Sequence, residues 1–564
     1  MADNTRLKIV LCWHMHQPEY RDHRTDNVMQ PWTYLRAIKD YTDMAAHLEM
    51  VDGARAVVNF TPILLEQLLF YIQQIENHLK YDRLLQDPLL AALARTNEDI
   101  HQNLSALLQL CVTSQNRLYA QRYETYNALM KFAEHLLNNE KHVNYIHPGF
   151  MDDLLVWFHL GWFGETVQLH DPRLQRMINK AEHFSYEDRK QLLEIIGEQV
   201  AAVIPRYRRL AETGKIELAM SPYAHPIAPL LLDFASANEA LPACTLPQNA
   251  GYPGGKQQLI QQINCGIEIF TQCFGQKPIG CWPAEGAISE ETLKQLDEAG
   301  FLWAASGTGV LYNSLEACGQ PSKTENAVHN SYQYNGLNMS CFFRDDGLSD
   351  LIGFSYATWH ADDAVANLVH HLEQIYQHSS DRKNAIVSII MDGENAWEHY
   401  PHNGYYFLQA LYKRLSSHPQ FLMTTFSECL SINKKPLPKL VAGSWVYGNL
   451  NTWIGSPDKN RAWDMLVEAK QHFDQAMRSD DLSYRQKQEA QKQMAICEGS
   501  DWFWWPGEDN PDLSISSFDT LYRTHLTTLY HLIKVSPPGY LAQPYTHQKS
   551  RGDAALGGLM RKNT

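Results

Sequence analysis

Two carboxylates follow the most apolar run of the sequence. Residues 386–391 are apolar except for one serine, and Asp392 and Glu394 come directly after them. A strand that is apolar on both faces is buried, so unpaired carboxylates at its end would be costly. Paired carboxylates support either cleavage of a glycosidic bond or binding of a divalent metal ion. This pair is the strongest candidate for chemistry in the chain.

A third acid follows another short apolar run. Residues 280–282 end in Trp282, and Glu285 comes three positions later. The next helix is predicted to begin near Ser289, a residue type that caps helices, with two glutamates in its first turn. Glu285 is therefore not needed as a cap, and it is predicted to lie at the carboxyl end of a strand, beside a tryptophan.

Histidines follow two other predicted strands. His14 and His16 leave the first strand two residues apart, so both can point into one pocket, and Gln17 comes next. His225 lies in a stretch where residues 222–229 contain three prolines, which fix a rigid path. A His-x-His pair at a strand end also suits zinc, so a metal site is an open alternative.

Tryptophans are frequent in the C-terminal part of the chain. Trp445, Asn449 and Trp453 lie in one segment, and residues 501–505 contain four consecutive aromatic side chains that include Trp502 and Trp504. Four aromatics in a row cannot all face one core. Tryptophan faces stack well on sugar rings, although a place in the core is the alternative for each of them.

The elements that position these candidate residues are short apolar runs, predicted as strands, which alternate with helical stretches. Strands are predicted at 7–13, 56–60, 216–220, 279–282, 302–305 and 385–391, with helices at 256–274, 289–298 and 361–377 between them. This alternation is typical of a parallel sheet covered by helices, often a barrel. The active sites of such folds lie at the carboxyl ends of the strands, where the carboxylates and histidines named above are predicted to be.

Composition and net charge argue against some classes of binding partner. The chain has 564 residues, is 44% hydrophobic and carries a formal net charge of −15, which argues against nucleic acid or an anionic membrane as its main partner. Ten cysteines occur without any Cys-x-x-Cys pair, and no stretch is apolar enough to span a bilayer. We expect a cytoplasmic enzyme.

Together these segments resemble glycoside hydrolase family 57, an α-glucan-active family of α-amylases, amylopullulanases, 4-α-glucanotransferases and branching enzymes. The resemblance spans residues 14 to about 453, and the cluster at 501–505 is similar to the amylase and amylopullulanase side of the family. Five segments carry it in family order: His16-Gln17-Pro18, residues 214–231 around Tyr223-Ala224-His225-Pro226, Trp282-Pro283-Ala284-Glu285, Asp392-Gly393-Glu394-Asn395, and residues 445–453.

The resemblance implies an α/β fold, a seven-fold (β/α) barrel followed by a helical domain. We expect residues 1–440 to form the catalytic barrel, with a helical insertion at about 84–138. Residues 441–535 are expected to form a helical domain that contributes aromatic side chains to the active site, and residues 536–564 an extended tail.

The resemblance also implies a retaining mechanism, with Glu285 as nucleophile and Asp392 as general acid/base. Asp392 must then be protonated and Glu285 ionised. No cofactor and no metal ion are implied, and the partner is an α-glucan or oligosaccharide. The residues expected to bind substrate are His14, His16, Gln17, His225, Trp282, Glu394, Trp397, Trp445, Asn449, Trp453, Trp502 and Trp504.

Three other functions stay open at this point. The same two acids could transfer the glycosyl group to another sugar, as in a 4-α-glucanotransferase or branching enzyme. A metal-dependent hydrolase could use His14, His16, His225 and Asp392. A non-catalytic glycan-binding protein is disfavoured, because both catalytic carboxylates are present.

Overall fold

A closed barrel of seven parallel strands forms the centre of the molecule. The structure is a computed structural model that describes residues 6–95, 104–139, 141, 146–322, 326–507, 510 and 512–547. The last strand pairs with the first and also with the sixth, which closes the barrel and confirms the predicted fold class. The strands are β1 (Leu7–Met15), β2 (Ala56–Phe60), β3 (Ile216–Met220), β4 (Gly280–Cys281), β5 (Trp303–Gly307), β6 (Ser340–Arg344) and β7 (Ile386–Asp392).

Six of the seven strands coincide with apolar runs in the sequence. The exception is β6, which has only three apolar residues between Ser340 and Arg344 and was not predicted. It is nevertheless buried along its whole length. A short strand with polar residues at both ends carries too little pattern to be recognised from sequence alone.

The pairing register brings the ends of three strands to one level. His14 of β1 lies opposite Asp392 of β7 on one side and opposite Asn59 of β2 on the other. Because parallel strands share a direction, their carboxyl ends meet at the same edge of the barrel. The register therefore places a histidine, an aspartate and an asparagine side by side at that edge.

Large apolar side chains fill the barrel interior below this edge. A buried cluster draws on six of the seven strands, so it lies inside the barrel. A packed interior of this kind is a core and not a channel. The floor of any site at the carboxyl edge is therefore closed. Members of the cluster include Val10, Val57, Ala219, Trp303, Phe342 and Ile390.

The connection from β2 to β3 is long and helical, and it contains the predicted insertion. Residues 96–103 of that insertion lie outside the described residues. The helices of this connection are Pro62–Tyr81, Pro88–Ala94, Leu104–Cys111, Ser114–Ala120, Glu124–Leu137, Pro148–Trp162, Glu165–His170, Pro172–Lys180 and Tyr186–Glu212.

The other barrel connections are shorter. Ser289 accepts a hydrogen bond from the backbone N–H of Thr292 and begins the helix Glu290–Glu298, as predicted. The segment between β1 and β2 includes a π-helix, Ala37–Tyr41. The remaining helices of these connections are Trp32–Arg36, Thr42–Met50, Ala228–Leu232, Ala237–Ala240, Gly255–Phe274, Thr308–Ala317, Asp346–Asp350 and Ala361–His378.

Helices dominate again after β7. They are Tyr405–Ser417, Pro457–Arg478, Tyr484–Cys497, Asp501–Trp504 and Asp512–Leu532, followed by a short 3-10 turn, Gly539–Ala542. The predicted domain limits at 440 and 535 stay predictions, and residues 548–564 of the predicted tail lie outside the described residues. Within the described part of the chain, no helix combines the length and the apolarity needed to cross a bilayer.

Candidate active site

A cavity of about 590 Å³ lies at the carboxyl edge of the barrel. Pockets of roughly 300–1,000 Å³ are the usual size for small-molecule sites. The barrel loops, the helical insertion and the helices after β7 all contribute to its walls. Eight of the predicted site residues line it: His14, His16, Gln17, Glu285, Asp392, Glu394, Trp445 and Trp504.

Glu285 is held in place by Trp445. The backbone N–H of Trp445 donates to the carbonyl oxygen of Glu285 at 3.1 Å, and the indole Nε1–H donates to Oε2 at 3.0 Å. The backbone of Glu285 is left-handed, with φ of 57°. That conformation is uncommon for a residue with a side chain and persists where the surroundings enforce it, often at active sites. Two contacts from one tryptophan supply that enforcement.

Asp392 is the last residue of β7 and faces the same cavity. Its Oδ2 accepts a hydrogen bond of 3.3 Å from the side-chain amide of Asn395. The backbone N–H of Gly393 donates to the carbonyl of His14 at 2.8 Å, which ties the end of β7 to the end of β1. The barrel therefore positions the side chain of Asp392, and one of its two carboxylate oxygens is hydrogen-bonded to the protein.

The pKa values of both carboxyl groups are raised, and they differ from each other. Burial raises the pKa of Glu285 to about 8, and the neighbouring charge of Asp392 adds to this effect. Burial also raises the pKa of Asp392 to about 6, opposed by His16 and Arg344. Between these values the pair holds one proton, which is the number that a retaining mechanism needs. The order of the two values is the reverse of the order expected from the sequence.

Three histidines stack beside the carboxyl pair. The ring centroids of His16 and His225 are 3.9 Å apart, and those of His14 and His225 are 4.9 Å apart. His225 is fully buried and has a left-handed backbone, with φ of 60°. The proline-rich segment therefore brings His225 against His16, as its position in the sequence predicted, although His225 does not itself line the cavity.

In His14 and His225, one ring nitrogen has a hydrogen-bond partner and the other has none. The Nδ1 atom of His14 accepts from the amide of Asn59 at 2.8 Å, and that of His225 pairs with the hydroxyl of Ser500 at 2.9 Å. The Nε2 atoms of His14 and His225 are buried and have no hydrogen-bond partner among the described residues. Burial lowers the pKa of both rings well below the usual range, so both are neutral. Of the two, only His14 lines the cavity, so its unpaired nitrogen is the one placed to bind a ligand hydroxyl.

One combination of these residues meets the distance requirement for a metal ion. Ligand atoms of His16, His225 and Asp501 lie within 4.8 Å of one another, and His16 Nε2 is 2.9 Å from Asp501 Oδ2. The rings of His16 and His225, however, are stacked with only 26° between their planes. An imidazole lone pair lies in the plane of its ring, so stacked rings do not direct two nitrogens to one ion about 2.0–2.1 Å away. This geometry suits hydroxyl groups better than zinc.

Glu394 is enclosed by donors from the protein. Its Oε1 accepts from the backbone N–H of His16 at 3.0 Å and from the hydroxyl of Tyr41 at 2.6 Å. Its Oε2 accepts from the side-chain amide of Gln17 and lies 3.8 Å from Nε of Arg36. With both oxygens occupied, Glu394 holds the His16–Gln17 segment in position and is left with little capacity to bind a sugar.

Six predicted site residues do not line the cavity. Trp282 is fully buried and packs edge-on against Trp445, with ring centroids 5.3 Å apart. Trp502 donates to the carbonyl of Ile496 and stacks on Tyr522, so it belongs to the core. The six residues outside the lining are His225, Trp282, Trp397, Asn449, Trp453 and Trp502.

The cavity also has residues that sequence reasoning missed. Arg36 lines the cavity, and Tyr41, outside the lining, donates to Glu394. Both lie in a helical segment that carries no chemical pattern, so nothing in the sequence pointed to them. Asp501 directly precedes the aromatic run of residues 502–505, and this position in the sequence is the signal that could have identified it. The missed lining includes Trp32, Arg36, Leu110, Asp501, Trp505 and Phe518.

A parallel (β/α) barrel with two carboxyl groups in a cavity at its carboxyl edge is an arrangement found in glycoside-cleaving enzymes. The family model for glycosyl hydrolase family 57 matches residues 10–440, and the chain belongs to that family. A search of curated protein sequences found no significant match.

Solved structures share the fold at low identity. A branching enzyme from the hyperthermophilic archaeon Thermococcus kodakaraensis aligns with a TM-score of 0.56 and 16% identity, over 93% of this chain and 90% of that chain. The α-amylase AmyC from Thermotoga maritima gives 0.55 and 13%, over 94% and 93%. A 4-α-glucanotransferase from Thermococcus litoralis gives 0.52 and 13%, over 93% of this chain and 60% of that one.

Replacing Glu394 with glutamine is expected to weaken the site without changing its chemistry. Glutamine would put an NH2 donor where a carboxylate oxygen now accepts from His16 and Tyr41 or from Gln17. An unsatisfied buried donor costs about 1–3 kcal/mol. Thermal unfolding should show this loss of stability, and activity should fall equally on glucans and on aryl glycosides with good leaving groups. Glu76→Gln, at an exposed helix position, is the control. A loss confined to glucans would instead make Glu394 the proton donor.

Proposed function

We propose that the protein is a retaining, α-glucan-active enzyme that cleaves α-glucosidic bonds of starch- or glycogen-type glucans or maltodextrins. The observation that carries this proposal is the pair Glu285 and Asp392. Both side chains line one cavity, and their raised pKa values leave one proton between them near neutral pH. Family membership supports a glycoside as the substrate.

In the proposed mechanism Glu285 attacks the anomeric carbon while Asp392 protonates the departing oxygen. Water or a sugar hydroxyl then gives a proton to Asp392 and displaces Glu285. The hydrogen bond from Trp445 to Glu285 Oε2 favours the ionised form that must attack. The neutral ring of His14 lines the cavity and offers its unpaired Nε2 to a sugar hydroxyl, while His225 packs behind it.

Transfer to a second sugar is the alternative outcome of the same intermediate. It is favoured by the aromatic side chains of Trp504, Trp505 and Phe518, which line the cavity and offer stacking faces to an acceptor sugar. Products longer than the substrate, after incubation with maltotetraose, would identify a 4-α-glucanotransferase or branching-type activity. Only shorter products would identify a hydrolase.

Glu285→Gln is expected to abolish turnover while the fold survives. The covalent step needs a carboxylate, so kcat on maltodextrin should fall by several orders of magnitude, about 10³-fold or more. The melting temperature should change little, because burial raises the pKa of Glu285 to about 8, so at neutral pH glutamine replaces a largely neutral carboxyl group of the same shape. Glu298→Gln, at the exposed end of a nearby helix, is the control. Activity within tenfold of the wild type would remove Glu285 from this role.

Asp392→Asn is expected to show a loss that depends on the leaving group. General acid catalysis is worth about 10²–10⁴-fold, so cleavage of glucans should fall in that range. An aryl α-glucoside whose phenolate leaves without a proton should be spared in the first step. Pre-steady-state release of the phenol would measure that step. An equal loss on both substrates would contradict the assignment of Asp392 as acid.

The pH dependence of kcat/KM is expected to be bell-shaped. Below the pKa of about 6 both carboxyl groups are protonated, so the nucleophile is lost. Above the pKa of about 8 both are ionised, so the acid is lost. Rates on maltodextrin should therefore be highest between about pH 6 and 8, as such profiles report the essential groups of the free enzyme. A profile that stays flat across both values would exclude the pair as the titrating groups.

A further inference from the structure

The cavity has one buried end and one exposed end. Its deep end contains His14 and Glu394, which are 5% and 3% exposed, above the packed barrel interior. Its outer end contains the exposed side chains Gln109, Arg117 and Asn138 of the helical insertion. Asp392 lies opposite His14 in the barrel register, and its charge acts on Glu285, so both carboxyl groups lie near the deep end. The described residues therefore form a pocket with a floor.

Three segments of the chain wall the pocket between these ends. The helical insertion contributes Leu110 and Leu137, the segment after β1 contributes Trp32, and the last long helix contributes Phe518. Two of the walls are joined directly, because the side-chain amide of Gln30 donates to the hydroxyl of Ser517. Trp32 Nε1–H in turn donates to Gln30 Oε1 at 2.7 Å.

The floor restricts the direction in which a glucan can bind. In a retaining reaction the leaving group must depart before water or an acceptor sugar reaches the glycosyl-enzyme. If the leaving group occupied the floor of the pocket, the covalently bound donor sugar would lie between the leaving group and the opening. The leaving group could then not diffuse out. The donor sugar must therefore occupy the floor, and the rest of the chain must extend towards the insertion. A chain oriented in this way enters with its non-reducing end.

We propose, on the basis of the proposed function, that the enzyme acts on the non-reducing ends of linear glucan chains, and that the helical insertion binds the leaving-group side. Glu285 forms a bond to C1 of a sugar at the chain end as the C1–oxygen bond breaks, and the departing oxygen takes the proton of Asp392. Water or a sugar hydroxyl then returns a proton to Asp392 as its oxygen replaces Glu285 on C1. A pocket of about 590 Å³ holds roughly two to three sugar rings.

The face of the insertion suits this role. Leu110 and Leu137 are partly buried and give the pocket an apolar wall, against which the apolar faces of sugar rings can pack. Gln109 and Asn138 at the rim carry amide groups that can pair with sugar hydroxyls. A linear oligosaccharide offers both kinds of surface, whereas an internal segment of a branched glucan would need an opening at both ends of the pocket.

A pair of substrates tests the direction. Wild-type enzyme is given p-nitrophenyl maltoheptaoside with a free non-reducing end and the same compound with that end blocked by a 4,6-O-ethylidene group, and the sugar products are separated by chromatography. We expect the free compound to be shortened stepwise and the blocked compound to be cleaved at least about 100-fold more slowly, since a blocked sugar does not fit the floor. Similar rates on both would overturn the inference and leave the proposed function intact. No cleavage of either compound would overturn the proposed function.

A matched pair of variants tests the insertion. Leu110→Asp places a charge in the wall, whereas Leu118→Asp alters an exposed leucine, 44% accessible, that does not line the pocket. We expect Leu110→Asp to raise the KM for maltoheptaose relative to that for p-nitrophenyl α-glucoside by about tenfold, equivalent to about 1.4 kcal/mol of lost binding. Leu118→Asp should leave this ratio unchanged. An unchanged ratio in Leu110→Asp, with its melting temperature preserved, would remove the insertion from substrate binding.

Discussion

A buried ionic cluster around Arg36 lies beneath the active site. The guanidinium group is 3.1 Å from Asp40, in contact with Glu398, and 3.8 Å from Glu394. Lys39 adds a second cation at 2.7 Å from Asp40. Removing one partner from a buried cluster of this kind typically costs about 3–5 kcal/mol, because the remaining charge is left uncompensated. Burial raises the pKa of Glu394 to about 8, although the charge of Arg36 and the hydrogen bond from Tyr41 oppose this effect.

The cluster connects the backbone after β1 to the carboxylates after β7. A π-helix has i to i+5 hydrogen bonding, so Ala37–Tyr41 brings Tyr41 towards the face that carries Arg36. Both side chains then reach Glu394, which also accepts from the backbone N–H of His16. Because Glu394 follows Asp392 by two residues, the same contacts fix the loop that carries the proposed acid. Single-turn π segments are frequent at functional sites, and here the irregular turn serves to position the site.

Site residues that lie in a strong local sequence pattern could be predicted from the sequence. The apolar run of β7 located Asp392, and the tryptophan beside a short run located Glu285, although β4 itself is only two residues long. The sequence did not distinguish Trp504, which lines the cavity, from Trp502, which packs in the core, since a run of aromatics does not say which face each ring takes. The surroundings of Glu394 could not be predicted from the sequence either. Its hydrogen-bond partners are more than 350 positions away in the chain, and only the closed barrel brings them together.

The location of the shared proton follows from what each carboxyl group touches. In the free protein the pKa of Glu285 is raised more than that of Asp392, which puts the proton on the proposed nucleophile. A bound glycoside changes this balance, because its glycosidic oxygen accepts a hydrogen bond only from a protonated Asp392. Trp445 already donates to Glu285 and so favours its ionised form. The pair needs no proton from solvent to become reactive. In the proposed mechanism, moving its one proton from Glu285 to Asp392 is sufficient, so substrate binding would select the reactive form.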